Sequence, residues 1–157
     1  MNWSSAAVRD FIAREGLRAR VLPMPQDTHT AEEAARALGT DLAHIAKTLL
    51  AHLADGRFVL CILRGDQRLD RKKLCRATGA KRMSLATADE VLQVTGYSVG
   101  AVPPFPIQSA LPAYMDPRVL EIDTVYCGGG DVDALLEVPT DELVRVTCSE
   151  LTDLAIG

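Results

Sequence analysis

Two stretches of mostly apolar residues stand close together in the first half of the chain. They cover residues 45–53 and 58–63, and the pair Asp55-Gly56 between them is a typical turn signal. This arrangement predicts a β-hairpin. Shorter apolar or alternating runs predict further strands at residues 17–22, 119–127 and 134–138.

Helical spacing of apolar residues alternates with these strands along the chain. Capping residues bound the predicted helices: Ser4 or Ser5 begins the first, and Thr30 with Glu33 forms a capping box at the second. The predicted helices cover residues 4–15, 30–38, 70–78 and 87–94, and Thr140 or Asp141 is expected to cap a closing turn. Because helices and strands are intermixed and a hairpin excludes a purely parallel sheet, the pattern favours an α+β fold.

Lys47 is a lone cation in the first strand of the hairpin. In a strand it shares one face with Leu49, Ala51 and Leu53, so its side chain points toward the core. An unpaired charge is costly there. Two interpretations stay open: the stem carries the ammonium to solvent at the rim, or the ammonium lies in a pocket that accepts an anionic or polar partner.

A second unusual segment, residues 96–106, combines two glycines with three prolines. We call it the Gly-Pro loop. Such a composition cannot form a regular helix or a central strand. Glycine permits a close approach of a ligand to the backbone, and proline stiffens the chain. The loop therefore suits recognition of a polar ligand through main-chain groups, although a plain structural connection would have a similar composition.

Lys47 within Ile-Ala-Lys-Thr-Leu, followed by Gly-Ala-Val-Pro-Pro at residues 100–104, resembles the YbaK and prolyl-tRNA synthetase editing-domain family. Further segments agree in the same order: residues 28–39, 64–66, 69–74, 95–97, 114–116 and 128–129. The resemblance implies an α+β domain with a mixed, mostly antiparallel, curved or barrel-like sheet surrounded by helices. Residues 1–157 are expected to form one such editing domain.

This resemblance also implies an activity, the hydrolysis of the ester that joins a wrong amino acid to the 3′ end of a tRNA. Freestanding members act in trans on mischarged tRNA. The family's active-site lysine matches Lys47, and its loop for the terminal adenosine and aminoacyl group matches Gly100, Ala101 and Pro104. The alternative is a non-catalytic module of the same fold that binds tRNA or a synthetase. A third hypothesis, unrelated to the family, is a small-molecule hydrolase or phosphate-binding protein that uses Lys47 as an anion anchor.

Five more residues are expected to bind substrate, namely Thr28, Thr30, Asp116, Gly128 and Gly129. The threonines would line the entrance, Asp116 would lie near the substrate amine, and the two glycines would close the pocket. Each has a structural alternative. Thr30 can be occupied as a helix cap, Asp116 can serve a turn before Pro117, and the glycines can form a strand-end turn.

Charge is unevenly distributed along this acidic chain, whose net charge is −4. Residues 64–82 carry eight basic side chains against two acidic ones, so this basic segment is +6 and the rest is −10. A local patch can contact phosphates, and we expect Arg71, Lys72 and Lys73 to bind the tRNA backbone. The alternative is a solvated helix face.

Other features exclude several classes of protein. The chain has no apolar run of about 18 residues for a membrane span and no secretory signal. The cysteines lack a C-x-x-C pair and the histidines lack metal spacing, which predicts free thiols in a reducing cytoplasm and neither metal nor cofactor. The expected partners are the acceptor end of an aminoacyl-tRNA and, as an open second partner, an aminoacyl-tRNA synthetase.

Specificity is predicted from the size of the residues around the expected pocket. Small loop residues should admit a small amino acid, with alanine, serine, cysteine and threonine as candidates. The late glycines lack the histidine found in the alanine-specific branch of the family, which favours the other three.

Overall fold

The computed structural model describes residues 3–157. Within this range the helices are α1 (Ser5–Glu15), α2 (Ala31–Leu38), α3 (Arg71–Thr78), α4 (Ala88–Thr95) and α5 (Thr140–Thr147). The strands are β1 (Arg20–Pro23), β2 (Ala46–Leu53), β3 (Phe58–Arg64), β4 (Met83–Leu85), β5 (Ala113–Met115), β6 (Thr124–Gly128), β7 (Ala134–Pro139) and β8 (Glu150–Leu151). Two short 3-10 helices cover Leu42–His44 and Pro117–Glu121. None of the helices in the described part of the chain combines the length and apolar character needed to cross a membrane.

The strands form two sheets that meet at one point. The first sheet is antiparallel, in the order β1-β7-β6. The second has the order β4-β2-β3-β5-β8 and is mixed, since β5 runs parallel to both β3 and β8. A parallel bridge between Ile45 and Tyr126 joins the two sheets. The predicted α+β fold with a mixed, mostly antiparallel arrangement is confirmed, with the strands divided between two open sheets.

Local signals placed the hairpin and the helices correctly. Ala46 pairs with Arg64 at one end of the hairpin, and Gly56 takes a left-handed φ of 94° in its turn. The side chains that accept hydrogen bonds at the starts of α1 to α4 are Ser4, Thr30, Asp70 and Thr87. A glycine with positive φ ends each of these four helices.

The strand predicted over residues 119–127 was wrong in its first half. Pro117–Glu121 forms a 3-10 helix, and β6 begins only at Thr124. The Asp116 carboxylate accepts a hydrogen bond from the Arg118 N–H at 2.9 Å, and Pro117 supplies a backbone φ suited to a first helical turn. This cap outweighs the alternating pattern of the residues that follow.

The strand predicted over residues 17–22 also begins later, at Arg20. The N–H groups of Arg18 and Ala19 donate to the Glu142 carboxylate at 2.9 and 2.8 Å instead of joining a strand ladder. The predicted closing turn after Pro139 is the helix α5, which carries Glu142. The short strands β4, β5 and β8 were not predicted.

Two layers of packing enclose β2. On one face, Ala51 and Leu53 pack with Leu63 and with Leu74 of α3. On the other face, Leu50 packs with Val91 of α4. Lys47 shares the face directed at α3, as its register with the other odd-numbered residues predicts. The hairpin therefore delivers this lysine to the edge of an apolar layer.

Glu142 supplies the first testable prediction. Its side chain is 2% exposed and accepts two backbone N–H groups, so Glu142→Ala leaves both donors without a partner. A buried unsatisfied donor costs about 1–3 kcal/mol, and we expect the free energy of unfolding in urea to fall by about 2–4 kcal/mol. The neighbouring Asp141→Ala removes only a surface pair with Arg18 and should leave the midpoint nearly unchanged. Equal effects of the two variants would contradict this role.

Candidate active site

A pocket lies along the free edge of β2, between the two sheets. β3 pairs with β2 along its whole length, whereas on the other edge β4 pairs only with residues 51–53 and the bridge to β6 lies at Ile45. The stretch between these contacts borders a cavity of about 380 Å³. Along β2, residues whose backbone groups bond to β3 alternate with residues whose backbone groups point to the opposite edge. The N–H and C=O groups of Thr48 therefore point into this gap.

The pocket has an apolar floor and a polar rim. Apolar side chains from α2, β2, α4 and β7 line the floor: Ala34, Ile45, Ala46, Leu50, Val91 and Leu135. The polar side chains come from the start of α2 and from β2: Thr28, His29, Thr30, Glu32, Lys47 and Thr48. Ligand pockets of this size, at the lower end of about 300–1,000 Å³, commonly combine such a floor with a few placed polar groups.

Lys47 projects from β2 into this pocket and is half-buried. Its Nζ donates a hydrogen bond to the main-chain carbonyl of Gln67. Desolvation lowers the pKa of Lys47, the nearby carboxylates of Glu32 and Asp66 oppose this effect, and the Arg68 guanidinium adds to it. Lys47 thus lines the pocket with its ammonium held by a main-chain carbonyl, and its binding of an anionic partner stays a prediction.

The carbonyl that accepts from Lys47 belongs to a residue held by buried hydrogen bonds. Gln67 Oε1 accepts from the Arg64 N–H at 2.9 Å, and Gln67 Nε2 donates to Asp116 Oδ1 at 3.3 Å. The fully buried Asp116 also accepts from the N–H of Leu154 at 3.0 Å. Asp116 therefore serves the structural role that was its alternative. It reaches the pocket only through Gln67 and does not line it.

Gly100 packs against His29 across the pocket mouth. A Cβ on Gly100 would lie 2.7 Å from the His29 Cβ, and its φ of +86° is strained for any other residue. Both residues line the pocket. Glycine is therefore required here by the close approach of two backbones as well as by the backbone angle.

Gly128 and its neighbours hold the Gly-Pro loop against the first sheet. The Gly130 N–H donates to the Ala101 carbonyl at 2.9 Å, and a Cβ on Gly128 would lie 2.4 Å from the Val102 carbonyl oxygen. Gly128 lines the pocket, whereas Gly129 packs against Ala134 of β7. The late glycines thus contact Ala101 and Val102 of the Gly-Pro loop, and of the two that were expected to close the pocket only Gly128 lines it.

Thr28 and Thr30 both line the entrance as expected. Thr28 is buried and its N–H donates to the Val132 carbonyl at 2.7 Å. Thr30 is also the cap of α2, since its hydroxyl oxygen accepts from the Glu33 N–H at 3.0 Å. Ala101 and Pro104 belong to the Gly-Pro loop, but both are buried and neither contributes to the pocket lining.

The basic residues predicted to contact tRNA lie at the start of α3, outside the pocket lining. Arg71 and Lys72 are exposed, and one Arg71 nitrogen donates to the Met83 carbonyl at 3.3 Å. Lys73 differs, because its Nζ donates to Asp153 at 2.8 Å and to the Ala155 carbonyl at 2.6 Å. Lys73 therefore ties α3 to the C-terminal segment.

The thiols near the site are poor nucleophiles. Cys127 lines the pocket but is buried, and its desolvation raises its pKa to about 12. The same cause raises the pKa of Cys61, in the middle of β3, to about 12. A thiolate is the reactive form of cysteine, and burial disfavours it here. Cys61 is therefore an inert core thiol.

Sequence reasoning missed three residues of this site: His29, Glu32 and Gln67. His29 stands between two threonines that were expected at the entrance, and Glu32 lies two residues further along. That proximity was the available signal. Gln67 acts through its main-chain carbonyl, which no side-chain pattern reports. Within residues 3–157, no group of three or more His, Cys, Asp or Glu side chains is placed to hold a metal ion.

The sequence and the fold resemble those of known proteins. The model of the aminoacyl-tRNA editing domain matches residues 25–146, which include the whole pocket lining. The chain belongs to the aminoacyl-tRNA editing domain family. This family membership confirms the resemblance that Lys47 and the Gly-Pro loop carry.

Individual members of the editing domain family agree over most of the chain. The multifunctional Ser/Thr-tRNA deacylase ProXp-y of Escherichia coli K12 is 31% identical over 151 residues, covering 91% of this chain and 87% of that protein. A proline–tRNA ligase of Solidesulfovibrio magneticus is 37% identical over 132 residues, covering 82% of this chain and 22% of the ligase. The crystal structure of a candidate trans-editing enzyme for prolyl-tRNA synthetase superposes with a TM-score of 0.89 at 33% identity, covering 98% of this chain and 97% of that one.

The surroundings of Lys47 yield a prediction about its titration in this editing domain. Its pKa should lie below the ordinary lysine value of about 10.4. Glu32→Gln should lower that pKa further because a favourable carboxylate is lost, whereas Arg68→Gln should raise it because a repulsive cation is lost. Side-chain NMR of labelled lysines across alkaline pH measures all three values. Shifts of the same sign in the two variants would contradict this electrostatic account.

Proposed function

We propose that the protein is a trans-acting aminoacyl-tRNA deacylase that hydrolyses tRNA mischarged with a small amino acid. One observation carries the proposal: the half-buried ammonium of Lys47 and the backbone of Gly100 line the same small pocket. A cation beside accessible main-chain groups suits an ester carbonyl that develops negative charge during hydrolysis. The named activity of the E. coli relative supports the same reaction class.

The chemistry demands little beyond positioning and charge stabilisation. An aminoacyl ester is already activated, so the site need not supply a covalent nucleophile, and Cys127 is unsuited to that role. The Lys47 ammonium would bind the carbonyl oxygen as the tetrahedral intermediate forms, with a main-chain N–H near Gly100 as a second donor. The neighbouring ribose hydroxyl of the substrate would help to deliver the water.

Selection of a small amino acid is supported by the crowding of the pocket. The chain packs closely at Gly128 against Val102 and at Gly100 against His29. The loops therefore cannot move apart and widen the pocket without loss of these contacts. A pocket rejects a larger side chain more effectively than a smaller one. Serine, threonine and cysteine are the proposed substrates ahead of alanine, in keeping with the Ser/Thr activity named for the E. coli relative.

The tRNA itself would be held by the exposed cations near the start of α3. Arg71 and Lys72 are available for phosphate contacts, whereas Lys73 is engaged within the protein. We propose the acceptor end of an aminoacyl-tRNA as the main partner. An association with prolyl-tRNA synthetase and a cytoplasmic location follow from the editing role.

A panel of mischarged tRNAs tests the proposal directly. Purified protein is incubated with seryl-, threonyl-, cysteinyl-, alanyl-, leucyl- and phenylalanyl-tRNA, and the loss of each ester is followed. The proposal expects rapid loss of small-residue esters and stable esters of leucine and phenylalanine. Binding of tRNA without hydrolysis of any ester would instead support the non-catalytic module.

The central mutational prediction is that Lys47→Ala lowers the deacylation rate constant about 100-fold or more, as expected when a donor to an oxyanion is lost. Circular dichroism and urea unfolding should show a folded protein, since the pocket edge tolerates a smaller residue. Lys81→Ala removes an exposed lysine outside the pocket and should keep wild-type activity. Wild-type turnover by the Lys47 variant would refute the assignment.

A second prediction concerns salt. Neutralising Arg71 and Lys72 together should weaken tRNA binding and reduce the slope of log affinity against log salt concentration by about 2, roughly one per phosphate contact. Hydrolysis of a short aminoacyl-nucleotide mimic, which does not reach α3, should persist. The matched control neutralises Arg9 and Arg14, which are exposed on α1. Equal losses in both double variants would show that net charge alone matters.

A further inference from the structure

The pocket has four titratable side chains in its lining: His29, Glu32, Lys47 and Cys127. A general base works best when its pKa lies near the working pH, and histidine is the side chain whose ordinary pKa, about 6.5, meets that condition. A lysine is protonated at neutral pH, and a carboxylate is a weaker base than an imidazole. Burial keeps the Cys127 thiol protonated. The composition of the lining therefore singles out His29.

A carboxylate lies beside the His29 ring. The His29 Nδ1 lies 3.4 Å from the Glu33 Oε1, and that carboxylate is itself held by the Thr30 hydroxyl at 3.1 Å. A carboxylate near Nδ1 favours the tautomer that carries its proton there and leaves Nε2 as an acceptor. The side chain is 48% exposed, so the ring is open to water.

The position of His29 is fixed on both sides. Its backbone follows Thr28, which is bound to the Val132 carbonyl, and precedes the helix cap Thr30. Its Cβ packs against Gly100, one of the three residues of the Gly-Pro loop that line the pocket. A substrate held by that loop therefore lies beside the imidazole.

We propose that His29 is the general base that activates the hydrolytic water, an inference that rests on the proposed deacylase function. The water oxygen forms a bond to the ester carbonyl carbon while Nε2 of His29 takes the water proton. The tetrahedral intermediate then collapses, and the ester C–O bond to the ribose breaks. The imidazolium returns its proton to the departing ribose oxygen, which releases the free amino acid and a tRNA with a terminal hydroxyl.

Other charged groups around His29 bear on its pH dependence. Glu32 and Glu33 project from α2, Lys47 lies on β2, and Cys127 lies on β6. The Gly-Pro loop contributes Tyr97 alone, and its buried hydroxyl donates to the Pro106 carbonyl at 2.7 Å. The rate should fall toward acid pH, because a protonated imidazole cannot accept the proton of the water.

The experiment measures kcat and KM for seryl-tRNA hydrolysis from pH 5 to 8. His29→Gln should lower kcat about 100-fold or more with little change in KM, and should abolish the rise with pH. Added imidazole should restore part of the rate to His29→Ala. Glu33→Gln should lower kcat less than His29→Gln, because it removes only the orienting carboxylate. The control His52→Gln changes a histidine that stacks on Phe58 outside the pocket lining, and should keep the wild-type profile.

The outcomes separate this inference from the proposed function. A His29→Gln variant with wild-type kcat and an unchanged pH profile would overturn the base while leaving the deacylase in place. An increase in KM alone would also overturn it, because His29 would then only bind substrate. Wild-type protein that hydrolyses no ester in the panel would overturn both proposals.

Discussion

The structure depends on β2, a strand that is fully paired along one edge and only partly paired along the other. β2 is bonded to β3 over its whole length, but its other edge is divided between the bridge at Ile45 and the ladder of β4 at residues 51–53. The two sheets diverge from this strand, and the gap between them is the pocket. An edge with free peptide groups invites association with other strands, and here α2 and the Gly-Pro loop cover it on either side. The same feature that is a liability in a sheet thereby borders a pocket.

Fold and site share a single set of buried polar contacts. Asp116 joins the 3-10 helix at Pro117–Glu121 to Leu154 near the C-terminus and to Gln67, whose carbonyl receives the Lys47 ammonium. These contacts satisfy groups that would be costly to bury alone. They also hold Gln67, whose carbonyl accepts from the Lys47 ammonium. Asp116, which does not line the pocket, is therefore linked through Gln67 to the position of that charge.

Local chemistry made much of this arrangement predictable. Caps and glycines marked α1 to α4, and the odd-numbered register of β2 placed Lys47 on the face of α3. The strand predicted from residue 17 begins later because the distant Glu142 carboxylate takes over the N–H groups of Arg18 and Ala19. In the site, Gly100 and Gly128 were predicted from the family resemblance, and the structure shows that a side chain cannot fit at either position. His29 was not, because its importance arises from packing against a loop about 70 residues away in sequence.

The half-burial of Lys47 reconciles an overall acidic protein with the anionic substrate that we propose. Two unit charges 4 Å apart interact by about 1 kcal/mol in water but by about 4 kcal/mol at an effective dielectric constant near 20. Partial burial therefore strengthens the attraction of the ammonium for developing negative charge, and the same burial lowers its pKa. Full burial would risk the loss of the proton itself. Glu32 and Asp66 oppose that loss, because both carboxylates raise the pKa of Lys47. The acidic residues around Lys47 thus support the cation on which the proposed stabilisation of a negatively charged intermediate depends.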